Sequence, residues 1–160
     1  MFKSLSIAAA GAALALSVAA QGGFAAAAEP FANEIKARKA VMQIQAFNLG
    51  TLGAMAKGQI PYDAEAAQNA ADNLNAVVNM KNGAMWPKGS DLGALGVRTR
   101  AKPEAWTMYP KVAEQSMALK EAAAKMAAEA SNGLDAVKAN MKAIGQSCAG
   151  CHDITRGPKQ

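Results

Sequence analysis

The chain has 160 residues and a formal net charge of +5; 51 % of it is hydrophobic but only 5 % is aromatic. That length holds one domain and not comfortably two. Alanine and methionine must carry much of the apolar content, which suits close-packed helices better than a sheet of β-branched and aromatic residues. No stretch clusters Lys and Arg with stacking aromatics, so nucleic acid is not an expected partner, and the basic balance reads as a solvated surface with modest attraction for acidic proteins.

The first element is a processing segment. Lys3 is followed by the Leu/Ala-rich run Leu5 to Val18, which has signal-peptide length and falls short of the roughly 20 residues needed to span a bilayer. Candidate A-x-A cleavage sites end at Ala20 and Ala28. Cleavage after Ala28 leaves Glu29-Pro30 to open a polar mature chain. The expected organisation is therefore a cleaved signal peptide over 1–28 and a single domain over 29–160, working in the periplasm. An uncleaved membrane anchor is the competing reading, but no other stretch is long enough to span, so no stable membrane insertion is expected after cleavage.

Four helical segments follow. The first is expected from about Pro30 to Lys57, with Ile35, Met42, Leu49 and Ala56 recurring every seven positions on one face and Arg38 one turn before Met42. Gly58 near a C-cap and Asp63 as an N-cap mark the break that follows. The second carries Ala67, Ala70, Leu74, Val77, Val78 and Lys81 on one side and is expected to end near Met85. A Gly-rich connection from Trp86-Pro87 to Lys102 is the longest irregular stretch. The third region runs from Pro103-Glu104 to about Ser131; Pro110 predicts a short first turn and then a kink or restart. Asn132-Gly133 stops it. The fourth begins near Leu134 and places Val137, Met141, Ile144, Cys148 and Cys151 at steps of three and four. No period-two strand pattern appears. The fold class is all-α, an antiparallel four-helix bundle.

Cys148-Ala149-Gly150-Cys151-His152 is a C-x-x-C-H sequence, the attachment signature for c-type haem. Two thiols three positions apart on a helix can each add to one vinyl group of the same porphyrin, and the adjoining imidazole is then held beneath the iron as an axial ligand. Both cysteines fall on the apolar stripe, so the haem is expected to face the bundle interior. Three other readings compete. A thioredoxin-like Cys-x-x-Cys belongs near a βαβ pattern, and no strand is predicted. A structural zinc site wants four ligands, whereas His152 is the only histidine and the cysteines are the only thiols. A plain disulfide, usual for an exported pair of cysteines, leaves His152 without a role.

These residues resemble the class II c-type cytochromes, the cytochrome c′ family, in which a four-helix bundle carries the haem motif near its C-terminus. The resemblance covers the whole mature chain. Lys57-Gly58-Gln59-Ile60-Pro61-Tyr62-Asp63 is similar to that family's turn between helices one and two, and Pro103-Glu104-Ala105-Trp106 to the start of its helix three. Cys148 to His152 with Arg156 four residues on is similar to its closing C-x-x-C-H-x-x-x-R, although Thr155 replaces the aromatic often found before that arginine. The resemblance implies one covalent haem c with His152 as axial ligand.

The resemblance also implies two candidates for the opposite face of the iron. In cytochromes c′ proper an apolar residue leaves the iron five-coordinate and high-spin, able to bind NO or CO. In a low-spin branch a methionine on helix one closes the site. An ungapped count back from the shared Lys57-Gly58 turn places Met42 there, and places Arg38 where the family keeps an arginine near a haem propionate. Arg156 is implied at the haem edge. Without that positional match Met42 is an ordinary core filler, which is how Met55, Met80, Met85, Met117, Met126 and Met141 are read; Arg38 and Arg156 are then solvated surface charges. Trp86 and Trp106 suit either the haem surround or bundle packing.

The expected function is one-electron transfer by a His152/Met42-ligated low-spin haem, with transient redox partner proteins docking weakly at a partly exposed haem edge in a basic surround. A five-coordinate gas-binding protein is the alternative, and a haem-free helical interaction module a third. No enzyme activity is expected, because no carboxylate pair or second histidine accompanies the iron. Class II relatives often dimerise through helix-one and helix-two faces, which implies a homodimer.

Overall fold

A computed structural model describes residues 29–159; the signal peptide expected over 1–28 lies outside the described residues. Four long helices dominate: α1 (Ala32–Ala56), α2 (Ala64–Val78), α3 (Tyr109–Glu129) and α4 (Leu134–Thr155). Each packs on the next and α4 returns to α1, closing a four-helix bundle. Among the described residues the only β-type pairing is an isolated antiparallel bridge between Ala101 and Arg156.

Local chemistry accounts for most boundaries. Gly58 ends α1 with a positive φ of 70°, a conformation that only glycine adopts freely. Asp63 caps α2 by accepting the Ala66 N–H at 2.7 Å. The third region breaks as Pro110 predicts: a short turn over Glu104–Thr107, then α3 with the proline in its first turn, where the missing N–H costs nothing. Gly133, at φ 114°, separates α3 from α4.

Two expectations about α2 are corrected. It ends at Val78, well before Met85, and Lys81 is exposed beyond it rather than on its buried face. Asn79, Asn82 and Gly83 are poor helix formers, and the Asn79 side-chain Nδ2 donates to the Asn75 backbone carbonyl at 2.9 Å. A 3-10 turn over Gly83–Met85 stands where the end of that helix is expected. The Gly-rich connection that follows is more ordered than its composition suggests, with a helical turn over Leu92–Leu95 and a 3-10 turn over Gly96–Arg98.

The core is unevenly distributed. Leu52 and Met55 of α1, Leu74 of α2, Met126 of α3 and Val137 and Ile144 of α4 are buried together. On α3 only Ala123 and Met126 are buried. Leu119 and Val112, on the same face one and two heptads before Met126, stay half-buried. Along α3 and α4 the bundle is thus filled at one end and underfilled at the other, while Ile35 and Val41 of α1 and Val77 and Val78 of α2 stay buried at that second end. Of the methionines read as packing, Met55 and Met126 are buried, but Met80 and Met117 are 44 % and 59 % exposed. Met80 lies past the end of α2, and Met117 stands on the solvent side of α3, so neither has a core to fill.

Candidate haem site

The underfilled end is where the C-x-x-C-H residues stand. Cys148, Cys151 and His152 occupy the last turns of α4, all half-buried. The stripe Val137, Ile144, Cys148 and Cys151 runs continuously from the filled core into them, and Cys148 packs against the core itself. The thiols are free and one helical turn apart. Thr155 locks that turn, its hydroxyl donating to the Cys151 carbonyl at 2.8 Å.

Electrostatics prepare these groups. Burial, and secondarily the neighbouring Cys151, pushes the Cys148 thiol above its ordinary pKa, so it stays a thiol. Burial holds the His152 imidazole below its usual range, helped by Arg156 and Arg100 and opposed by Asp153. A neutral imidazole keeps the lone pair that a metal needs.

The residues fit a porphyrin. Interior positions Val112 and Leu119 of α3 and Cys148, Cys151 and His152 of α4 lack the covering that Met126 and Ile144 have, and interiors are normally close-packed. A large flat apolar group bonded to Cys148 and Cys151 would supply it. Bound there, such a group would supply reversible one-electron chemistry at iron.

Met42 lies on α1, the helix that closes the ring against α4, between buried Arg38 and Val41 on one side and buried Leu52 further along. It is itself 38 % exposed, the least covered member of its heptad stripe. Arg38 is only 4 % exposed. Its guanidinium donates to Ser90 Oγ at 2.7 Å, to the Ser90 carbonyl at 2.5 Å and to Thr99 Oγ1 at 2.7 Å, and lies 4.8 Å from the centre of the Trp86 ring. Desolvation lowers its pKa against the pull of Asp91. Three of its five N–H groups are used in this way, leaving two for an anionic partner. Arg156 is exposed just past α4, its N–H donating to the His152 carbonyl at 2.9 Å.

Sequence reasoning missed the cluster around Arg38. Trp86 and Trp106 form an edge-to-face pair with centroids 6.0 Å apart, and Trp106 Nε1 donates to the Trp86 carbonyl at 3.0 Å. Ser90 is fully buried and Thr99 nearly so. Two polar residues inside a Gly-rich stretch gave no local sign of their shared partner.

Comparison with known proteins agrees with this geometry. A family model described as Cytochrome C′ matches residues 33–156. Cytochrome c-554 of Cereibacter sphaeroides is 38 % identical over 122 residues, covering 76 % of this chain and 91 % of that protein. The solved structure of cytochrome c′ from Rhodobacter Spheriodes superposes with a TM-score of 0.77 at 29 % identity, covering 81 % of this chain and 98 % of that one. A nitric oxide complex of an L16A mutant of cytochrome c prime from Alcaligenes xylosoxidans superposes with a TM-score of 0.69 at 26 % identity, covering 81 % and 97 %. Proteins of this family are electron-transfer or gas-binding cytochromes rather than classical enzymes, and each binds one covalent haem c. With its bundle, its C-terminal Cys148/Cys151/His152 and a match over nearly all of the described residues, the chain belongs to the cytochrome c′ family of class II, mono-haem c-type cytochromes.

Proposed function

We propose that this protein is a periplasmic single-electron carrier, exported by a cleaved signal peptide over 1–28, whose haem iron is held by His152 on one face and Met42 on the other. Met42 carries this reading: a thioether on α1 one turn after buried Arg38, 38 % exposed and so not taken up by core packing, at the position that an ungapped count back from the Lys57-Gly58 turn assigns to the sixth ligand. A His/Met pair saturates the iron in both redox states and raises its potential relative to harder ligands. Electron exchange then needs little rearrangement of the protein.

Docking of redox partners is weak and transient, at the α4 end where Arg100 and Arg156 act on His152. The two N–H groups of Arg38 not used on Ser90 and Thr99 suit a haem propionate, and Arg156 borders the haem edge. A homodimer through α1 would cover Phe47 and Ile44, which are 75 % and 48 % exposed. No described helix is long and apolar enough to cross a membrane. No catalytic turnover is proposed, since His152 is the only histidine of the chain.

The relative with bound nitric oxide favours a second reading, a five-coordinate site open to gas. Visible spectra separate the two. Electron transfer requires a low-spin spectrum in both redox states and no prompt CO adduct after reduction, with Met42→Leu turning high-spin and binding CO at once. A Met42→Leu spectrum identical to a low-spin parent's would show that Met42 is not the sixth ligand. A high-spin parent that takes CO promptly would establish the gas-binding reading instead.

A further inference from the structure

The two helices that carry the proposed ligands are fastened to each other by the connection between α2 and α3. At one end residues 90–102 are held to α1. Arg38 binds Ser90 and Thr99, and Lys39 Nζ donates to the Arg98 carbonyl at 2.9 Å. At the other end the same stretch is held to the tail of α4. The Lys102 N–H donates to the Thr155 carbonyl at 2.8 Å, and the Gly157 N–H to the Arg100 carbonyl at 2.7 Å. The Arg100 side chain donates from Nε to the Gly157 carbonyl at 2.8 Å, and Ala101 bridges Arg156. Gly157 is buried, and a Cβ there would stand 3.0 Å from Leu92 Cδ2, so backbone and strap are in close contact.

Each attachment sits beside a ligand position. Arg38 is one turn from Met42, and Thr155 to Gly157 begin three residues after His152. The stretch is also closed on itself, the Leu92 N–H donating to the Ala101 carbonyl at 2.6 Å. It can therefore transmit position rather than merely bridge a gap.

We propose that residues 90–102 are a strap that sets the spacing of α1 from α4, and that Thr99, Arg38 and Arg100 are positioning residues which hold Met42 against the face opposite His152. The proposal rests on the reading of Met42 as axial ligand. It assigns to Arg38 a role separate from any contact with a propionate, because the strap contacts use their own donors and acceptors. With the strap released, α1 can draw away and the distal face opens to small ligands.

Thr99→Val tests the α1 attachment without touching α1, and Arg100→Gln tests the α4 attachment. The measurements, on the haem-loaded protein, are amide hydrogen exchange over 90–102 and the CO association rate after reduction. Each substitution is expected to raise exchange in the strap and to speed CO binding about tenfold, the worth of one charge-assisted hydrogen bond. Thr99→Ser should restore both. Against a Met42→Leu background Thr99→Val should change the CO rate less than twofold, because no ligand remains to be held. Faster exchange with an unchanged CO rate would overturn the proposal, leaving a purely structural strap; unchanged exchange would overturn it too. An undiminished effect in the Met42→Leu background would show that the strap does not act through Met42. The ligand reading fails separately, on the spectrum of Met42→Leu alone.

Discussion

Tyr62 and Gly133 are joined across the bundle by a hydrogen bond of 3.1 Å, the Gly133 N–H donating to the phenol oxygen. The same hydroxyl donates to the Ala130 carbonyl at 2.9 Å. One side chain from the turn before α2 therefore satisfies a donor and an acceptor that the break between α3 and α4 leaves open.

Removing that oxygen should destabilise the fold without touching the haem. Tyr62→Phe leaves both backbone groups without their partner, at a cost of about 1–3 kcal/mol. The expected fall in Tm is on the order of 5 °C, with an unchanged visible spectrum. A change in spin state would mean that this end of the bundle communicates with the iron.

The methionines divide by burial. Met126 is fully buried, and Met126→Ala should cost about 2–5 kcal/mol. Met117 is 59 % exposed, and Met117→Ala should stay within about 0.5 kcal/mol. Denaturant titration of the two variants checks the contrast; equal losses would show that Met117 is covered in solution.

Two glycines should respond in opposite directions to the same substitution. Gly145 is exposed inside α4 with nothing near its would-be Cβ, so Gly145→Ala should stabilise by roughly 0.5–1 kcal/mol. Gly133 sits at φ 114°, where a side chain is strained, so Gly133→Ala should destabilise by about 1 kcal/mol or more. Thermal melts of the haem-loaded variants give both signs directly.

Loss of the haem should unfold the bundle from one end. On the proposed attachment, Cys148→Ser combined with Cys151→Ser should prevent it and leave half-buried Val112 and Leu119 without the porphyrin expected to cover them. Hydrogen exchange should then lose protection first over 109–119 and last around Met126, Val137 and Ile144, with a Tm lower by more than about 10 °C. Uniform loss along α3 would argue against the uneven filling described above.

The legible parts of the sequence were those written in neighbouring residues. The breaks at Gly58, Pro110 and Gly133, the Asp63 cap and the spacing of Cys148, Cys151 and His152 all act within a turn or two of chain. They lay open to periodicity and capping rules, and with them the four-helix bundle and the helix that carries the C-x-x-C-H sequence. Where α2 ends was less legible, because Val77 and Val78 continue its stripe while Asn79 and Gly83 oppose helix, and neither signal alone decides.

Arg38 marks the boundary of what the sequence determined. Its place on α1 followed from periodicity, but its partners Ser90 and Thr99 are 52 and 61 residues away in a stretch with no repeating pattern. Hydrogen bonds at that separation exist only once four helices have brought distant backbone together. The amino-acid order by itself determined the helices and the spacing of Cys148, Cys151 and His152, which depend on local geometry. The tertiary structure alone decided which methionines are core, which end of the bundle is left unfilled, and how α1 is tied to α4, because burial and long-range bonding are properties of the packed chain.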